Sequence, residues 1–89
     1  MYLSRMFQAH ARTGDYRMTW GTWIKLFGKK ADDLSVHAIV HFRRGNRPEL
    51  GKIMGEGNEL RVPVKRCDED GSISNRRTYW RSRSQIYVR

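Results

Sequence analysis

Residues 76–83 read Arg76-Arg77-Thr78-Tyr79-Trp80-Arg81-Ser82-Arg83, with cations, aromatics and hydroxyls interleaved. A guanidinium is a planar fork of donors that matches phosphate oxygens and base edges, and an aromatic ring can stack on an exposed base. On a strand, Arg76, Thr78 and Trp80 share one face, and Arg77, Tyr79 and Arg81 share the other. One face must pack on the rest of the protein. Either Tyr79 or Trp80 is therefore core, and the other side presents arginine beside an aromatic that could stack on a base. A second basic cluster, Arg43-Arg44-Gly45-Asn46-Arg47, falls at a turn and is suited to phosphate. The expected nucleic-acid contacts are Arg43, Arg44, Arg47, Arg76, Arg77, Tyr79, Arg81 and Arg83, with Lys29 and Lys30 assisting. The competing role of such residues is structural, because strand aromatics usually pack and arginine stems cover them.

Other chemistries find less support. Cys67, His10, His37 and His41 are the only thiol and imidazole groups. A structural zinc site wants four ligands, commonly in paired spacings, and there is no second cysteine. No metal and no cofactor are expected. The acids gather in turn-like stretches, Asp32-Asp33, Glu56, Glu59 and Asp68 to Asp70, where capping and turn chemistry explain them. Cys67 borders the last of these, which raises a thiol's pKa and makes it a poor nucleophile. Gly55 and Gly57 lack the strand–loop–helix setting and the lysine of a phosphate loop. One enzyme class survives as a minor alternative, a metal-independent ribonuclease. His37, His41, Arg76, Arg77 and Tyr79 would supply its base, charge clamps and proton donor. In size and element content the chain is similar to ribonuclease toxins of the RelE type, although those usually begin with a strand and this chain is expected to begin with a helix.

The balance of charge agrees with the first reading. Lys and Arg total 18 against 9 Asp and Glu, a formal net charge of +9, and 13 of the 18 cations are arginine. The first 45 residues carry 8 basic and 3 acidic groups and the remaining 44 carry 10 and 6, so both halves are cationic. Nucleic acid is the natural polyanionic partner. The 89 residues are read as a single small basic domain spanning 1–89. A chain of this length buries only about 60–65% of its unfolded surface, which excludes a large α/β enzyme fold. No apolar run approaches the roughly 18 residues of a membrane span, and no secretory signal is recognisable at the N-terminus. The lone cysteine favours a reducing cytoplasm.

The elements that must position these groups follow from periodicity. Residues 2–12 predict an amphipathic helix with Leu3, Met6, Phe7, His10 and Ala11 on one stripe. Residues 20–27 predict a second, capped by Thr19, carrying Trp20, Trp23, Ile24 and Phe27 inward and stopped by Gly28. Residues 34–44 fit either a strand, with Val36, Ala38, Val40 and Phe42 alternating, or a helix capped by Asp32 or Asp33; the β-branched content favours the strand. Gly45 to Pro48 reads as a turn, 50–54 as a short strand, and 59–66 as a strand with Leu60, Val62 and Val64 inward. Pro63 lacks a donor and predicts an edge strand or a bulge. Asp70-Gly71 predicts a hairpin returning through 72–81, and Ile86 to Val88 a last short strand.

The stretch from Trp23 to Glu49, with its apolar helix ending in Gly28 and its basic run ending in Arg43-Arg44-Gly45, resembles a helix-turn-helix segment at residues 19–45, as in phage homing endonucleases. That resemblance implies that His37, His41, Arg43 and Arg44 face a major groove and that the Asp70-Gly71 hairpin acts as a wing. In size and style the chain also resembles small accessory proteins of T7-like bacteriophages. That implies the bacterial host cytoplasm, and as an alternative function, an inhibitor that docks on an acidic host protein or a nucleic-acid-processing complex. The expected fold is α+β, two N-terminal helices packed on a small antiparallel sheet or meander, with a winged helix-turn-helix as the alternative. The expected function is non-catalytic binding of DNA or RNA, mainly through the phosphate backbone.

Overall fold

A computed structural model describes residues 18–89. The expected helix over 2–12, and His10 within it, lie outside the described residues. Among the described residues there is one α-helix, α1 (Trp20–Phe27). It is followed by β1 (Ile39–Arg44), β2 (Arg47–Ile53), β3 (Arg61–Cys67), β4 (Ile73–Ser82), a short 3-10 turn (Arg83–Gln85) and β5 (Tyr87–Val88). The strands form one antiparallel sheet in the order β4-β3-β2-β1-β5. An isolated bridge from Lys30 to Tyr87 extends it beyond β5. The α+β class and the antiparallel meander hold, and of the two expected N-terminal helices the second is the one that lies among the described residues. None of the described helices is long and apolar enough to cross a membrane.

The helix-turn-helix alternative is overturned. Its recognition helix would lie where β1 pairs with β2 from Ile39↔Lys52 to Arg44↔Arg47. β-Branched and aromatic residues in this stretch meet a partner strand directly across the Gly45-Asn46 turn, and that pairing outweighs the Asp32–Asp33 cap. Val36 is exposed, and the backbone turns at His37, whose φ of 76° is left-handed. The strand therefore starts later than the alternation implied.

α1 forms as its sequence predicts. The Thr19 side chain accepts from Thr22 N–H, and Gly28 N–H donates to the Ile24 carbonyl at 2.9 Å. Gly28 is extended, and its need is for space: a Cβ there would stand 2.6 Å from the Ile24 carbonyl oxygen. Trp20 and Trp23 stack at 5.5 Å, and Tyr87 meets both edge-on. Trp23 covers His41 at 4.7 Å between ring centres. The Trp23 indole N–H is buried without a hydrogen-bond partner.

The other face of the sheet holds the main core, Val40, Phe42, Ile53, Val62, Val64, Tyr79 and Ile86. β1 is thus covered on both sides, which is why Val40, His41 and Phe42 are all buried in succession. β1 and β4 are separated by two strands, a distance of about 14 Å in a flat sheet. Yet the Phe42 and Tyr79 rings lie 5.5 Å apart, and Arg81 Nε donates to the Arg43 carbonyl at 2.9 Å. The sheet is therefore curled, with β4 folded over towards β1. Gly51 permits this, since a Cβ there would come within 2.5 Å of Val64 and 2.6 Å of the Phe42 ring.

Two expectations for β3 are corrected. Pro63 sits in an interior strand, opposite Trp80 of β4. Met54 N–H donates to the Pro63 carbonyl at 2.9 Å, just past the end of β2, so the missing proline donor faces a ladder that has already stopped. Leu60 is 75% exposed and does not join Val62 and Val64. The Asp70-Gly71 hairpin forms as expected, with Gly71 at φ 87° and its N–H donating to the Asp68 carbonyl at 3.0 Å. Between Lys65↔Thr78 and Cys67↔Ile73 the register shifts, so residues 74–77 bulge opposite Arg66.

Candidate nucleic-acid interface

β4 divides the basic residues between two settings. On the inner side, Tyr79 is only 7% exposed. Arg77 and Arg81 each lie with the guanidinium carbon 5.0 Å from its ring centre, and Arg81 also lies 5.7 Å from that of Phe42. Arg44 Nε donates to the Tyr79 hydroxyl at 3.3 Å, a bond that raises the arginine's pKa. Burial lowers that of Arg81, and Arg77 adds to this, but an arginine so perturbed is still a cation at neutral pH. Arg66 Nε pairs with Glu49 Oε1 at the rim of the same face. The structure thus brings Arg44, Arg77, Arg81 and Tyr79 together. It corrects Tyr79 as a base-stacking residue, because a ring buried in the core has no face to offer.

On the outer side Trp80 is 50% exposed. Register places Thr78 opposite Lys65, Trp80 opposite Pro63 and Ser82 opposite Arg61. Arg76, in the bulge two residues before Thr78, is exposed next to this side. Thus Trp80 stands among Arg61, Lys65, Thr78 and Ser82, above a buried proline. Arg61 and Lys65 are not among the contacts the sequence leads one to expect. The signal was present, since the alternation of 59–66 puts them opposite Val62 and Val64, and the hairpin pairs that side with Trp80.

The remaining predicted contacts are dispersed. Arg83 donates from Nε to the Asn58 carbonyl and from Nη2 to the Glu56 carbonyl, each at 2.6 Å. It clamps the β2–β3 loop, and two of its donors are committed to loop carbonyls. Arg43 and Arg47 flank the β1–β2 turn, and Arg43 Nε donates to the Gly45 carbonyl at 2.7 Å. Lys29 and Lys30 run alongside β5, at the far end of the strand order from β4.

Among the described residues the two histidines sit in different settings. His41 is buried, and its Nδ1 lies 3.3 Å from the Val88 carbonyl, which can only accept, so Nδ1 carries the hydrogen. His37 is exposed in the turn before β1. The two therefore do not share a helix face. Burial pushes the Cys67 thiol up, with Asp68 and Asp70 adding to this and Arg89 and Lys52 opposing it. Asp33 accepts from Ser35 and Asp70 from Ser72, local bonds that hold both carboxyls below their usual range. No group of three or more His, Cys, Asp or Glu among the described residues is placed to hold a metal ion. A shallow cleft of about 300 Å³ lies between Ala31, Ala38, Val40 and Val88, with Asp32, Asp33 and Arg89 on its lining.

No family model, no curated protein and no solved structure matches the chain.

Proposed function

We propose that this chain is a non-catalytic nucleic-acid-binding protein that holds its ligand mainly by phosphate contacts. The observation that carries the reading is the outer side of the β3–β4 hairpin. There a half-exposed tryptophan stands among cations and hydroxyls on a chain of net charge +9. Cations supply sequence-independent attraction to phosphate, and an aromatic face accepts any base. Arg76, Arg61 and Lys65 are the leading phosphate contacts, with Arg77 and Arg44 at the opposite rim. The non-catalytic part is supported by His41, which is buried beneath Trp23.

Binding of labelled oligonucleotides across a salt series tests the reading. The affinity should fall steeply with salt. Replacing Arg76 and Arg77 by alanine should weaken binding to all sequences and flatten the log–log slope by about one unit per lost contact. Unchanged affinity in that double variant overturns the assignment. Cleaved RNA in EDTA would replace it with the ribonuclease reading.

A further inference from the structure

A protein that reads a duplex groove needs a projecting helix or two-stranded ribbon with a basic tip. Each candidate element among the described residues lacks one of those properties. α1 buries both of its tryptophans, and Lys25 is its lone cation. The β1–β2 tip is basic but docked, because Trp20 N–H donates to the Asn46 carbonyl at 2.8 Å and ties the turn to the helix. The β3–β4 tip is exposed but carries Asp68, Glu69 and Asp70, which a phosphate backbone repels. Among the described residues, the surface that is basic, open and aromatic at once is the outer side of β3 and β4. Its groups are spaced as a strand spaces them, about 6.6 Å between alternate residues. Bases in a duplex are stacked on one another, whereas those of a single strand can be splayed onto an aromatic ring.

We infer that the ligand of this surface is a single-stranded nucleic acid, with one base stacked on Trp80 and flanking phosphates held by Arg61, Lys65 and Arg76. This rests on the nucleic-acid reading above and narrows it. The test uses the full chain and a labelled single-stranded DNA of about 16 nucleotides, beside the duplex of the same sequence. The single strand should bind at least about tenfold tighter. Trp80→Ala should weaken single-strand binding by about tenfold and leave both duplex binding and the salt slope unchanged, while Trp80→Phe keeps most of the affinity. Trp20 and Trp23 are 5% and 1% exposed, so quenching of tryptophan emission on binding should report Trp80 and vanish in the phenylalanine variant.

Equal affinity for strand and duplex overturns the single-strand inference. Full affinity in Trp80→Ala overturns the stacking role. If Arg76→Ala/Arg77→Ala still weakens binding in either case, phosphate binding stands without it. Absence of binding to both probes at low salt overturns this inference and the broader reading together.

Discussion

Tyr79 and Trp80 are adjacent on one strand, both aromatic and both bracketed by arginine, yet their surroundings oppose each other. Tyr79 faces the curl of the sheet, where Phe42, Val64 and three arginines enclose it. Trp80 faces outward over Pro63 and stays half exposed. The same residue types therefore serve two ends. Around Tyr79 the guanidiniums close the open side of the core, with their stems and flat faces covering apolar rings. Around Trp80 the cations and the ring remain available to a ligand. Interleaved Arg and aromatic residues thus mark a strand with both a structural and an accessible side, and only burial tells them apart.

The sharpest break of this comparison is in stability. Tyr79→Ala should cost about 3–4 kcal/mol in urea unfolding, since it empties a core position and strips the support from Arg44, Arg77 and Arg81. A cost under about 1 kcal/mol would show that the inner cluster is not holding the core. Gly51→Val comes next, at about 2–3 kcal/mol, because the added methyls must displace Phe42 and Val64 on which the curl depends. Arg83→Ala should cost about 1–2 kcal/mol through the two lost loop carbonyl bonds, with little change in nucleic-acid affinity. A large affinity loss at unchanged stability would restore Arg83 to the interface. Trp80→Ala should change stability by no more than about 0.5 kcal/mol, so that its effect appears only in binding.

The smallest effect is a pH dependence. Burial raises the Cys67 pKa in the folded state, so the native protein holds this proton more tightly than the unfolded chain. Its contribution is fully present below the unfolded thiol value of about 8.5 and is lost as pH rises towards the folded value. Stability should decline over that alkaline window, and less so in Cys67→Ala. Equal slopes in the two proteins would remove the thiol from the account.

Much of the local structure was legible in the chain. The apolar stripe of 20–27 and Thr19 at its start specify α1, and Asp70-Gly71 with flanking alternation specifies the β3–β4 hairpin. The choice for 34–44 was less so, because a short apolar run with a few histidines suits either period. Pro63 misled for a physical reason. A proline needs only that its own N–H position lack a partner, and an interior strand meets that need where its neighbour ends.

By itself, then, the sequence determined the charge, the arginine-rich composition, the alternating strands and their turns, because these depend on residue type and on neighbours a few positions away. Which aromatic of β4 is core and which is surface depended on the tertiary structure. So did the burial of His41, the commitment of Arg83 to a loop, and the joining of Arg61 and Lys65 to Trp80. Each of these follows from register and from the curl of the sheet, which bring together residues far apart along the chain. Local pattern is symmetric between the two faces of a strand, and only packing against the rest of the molecule breaks that symmetry.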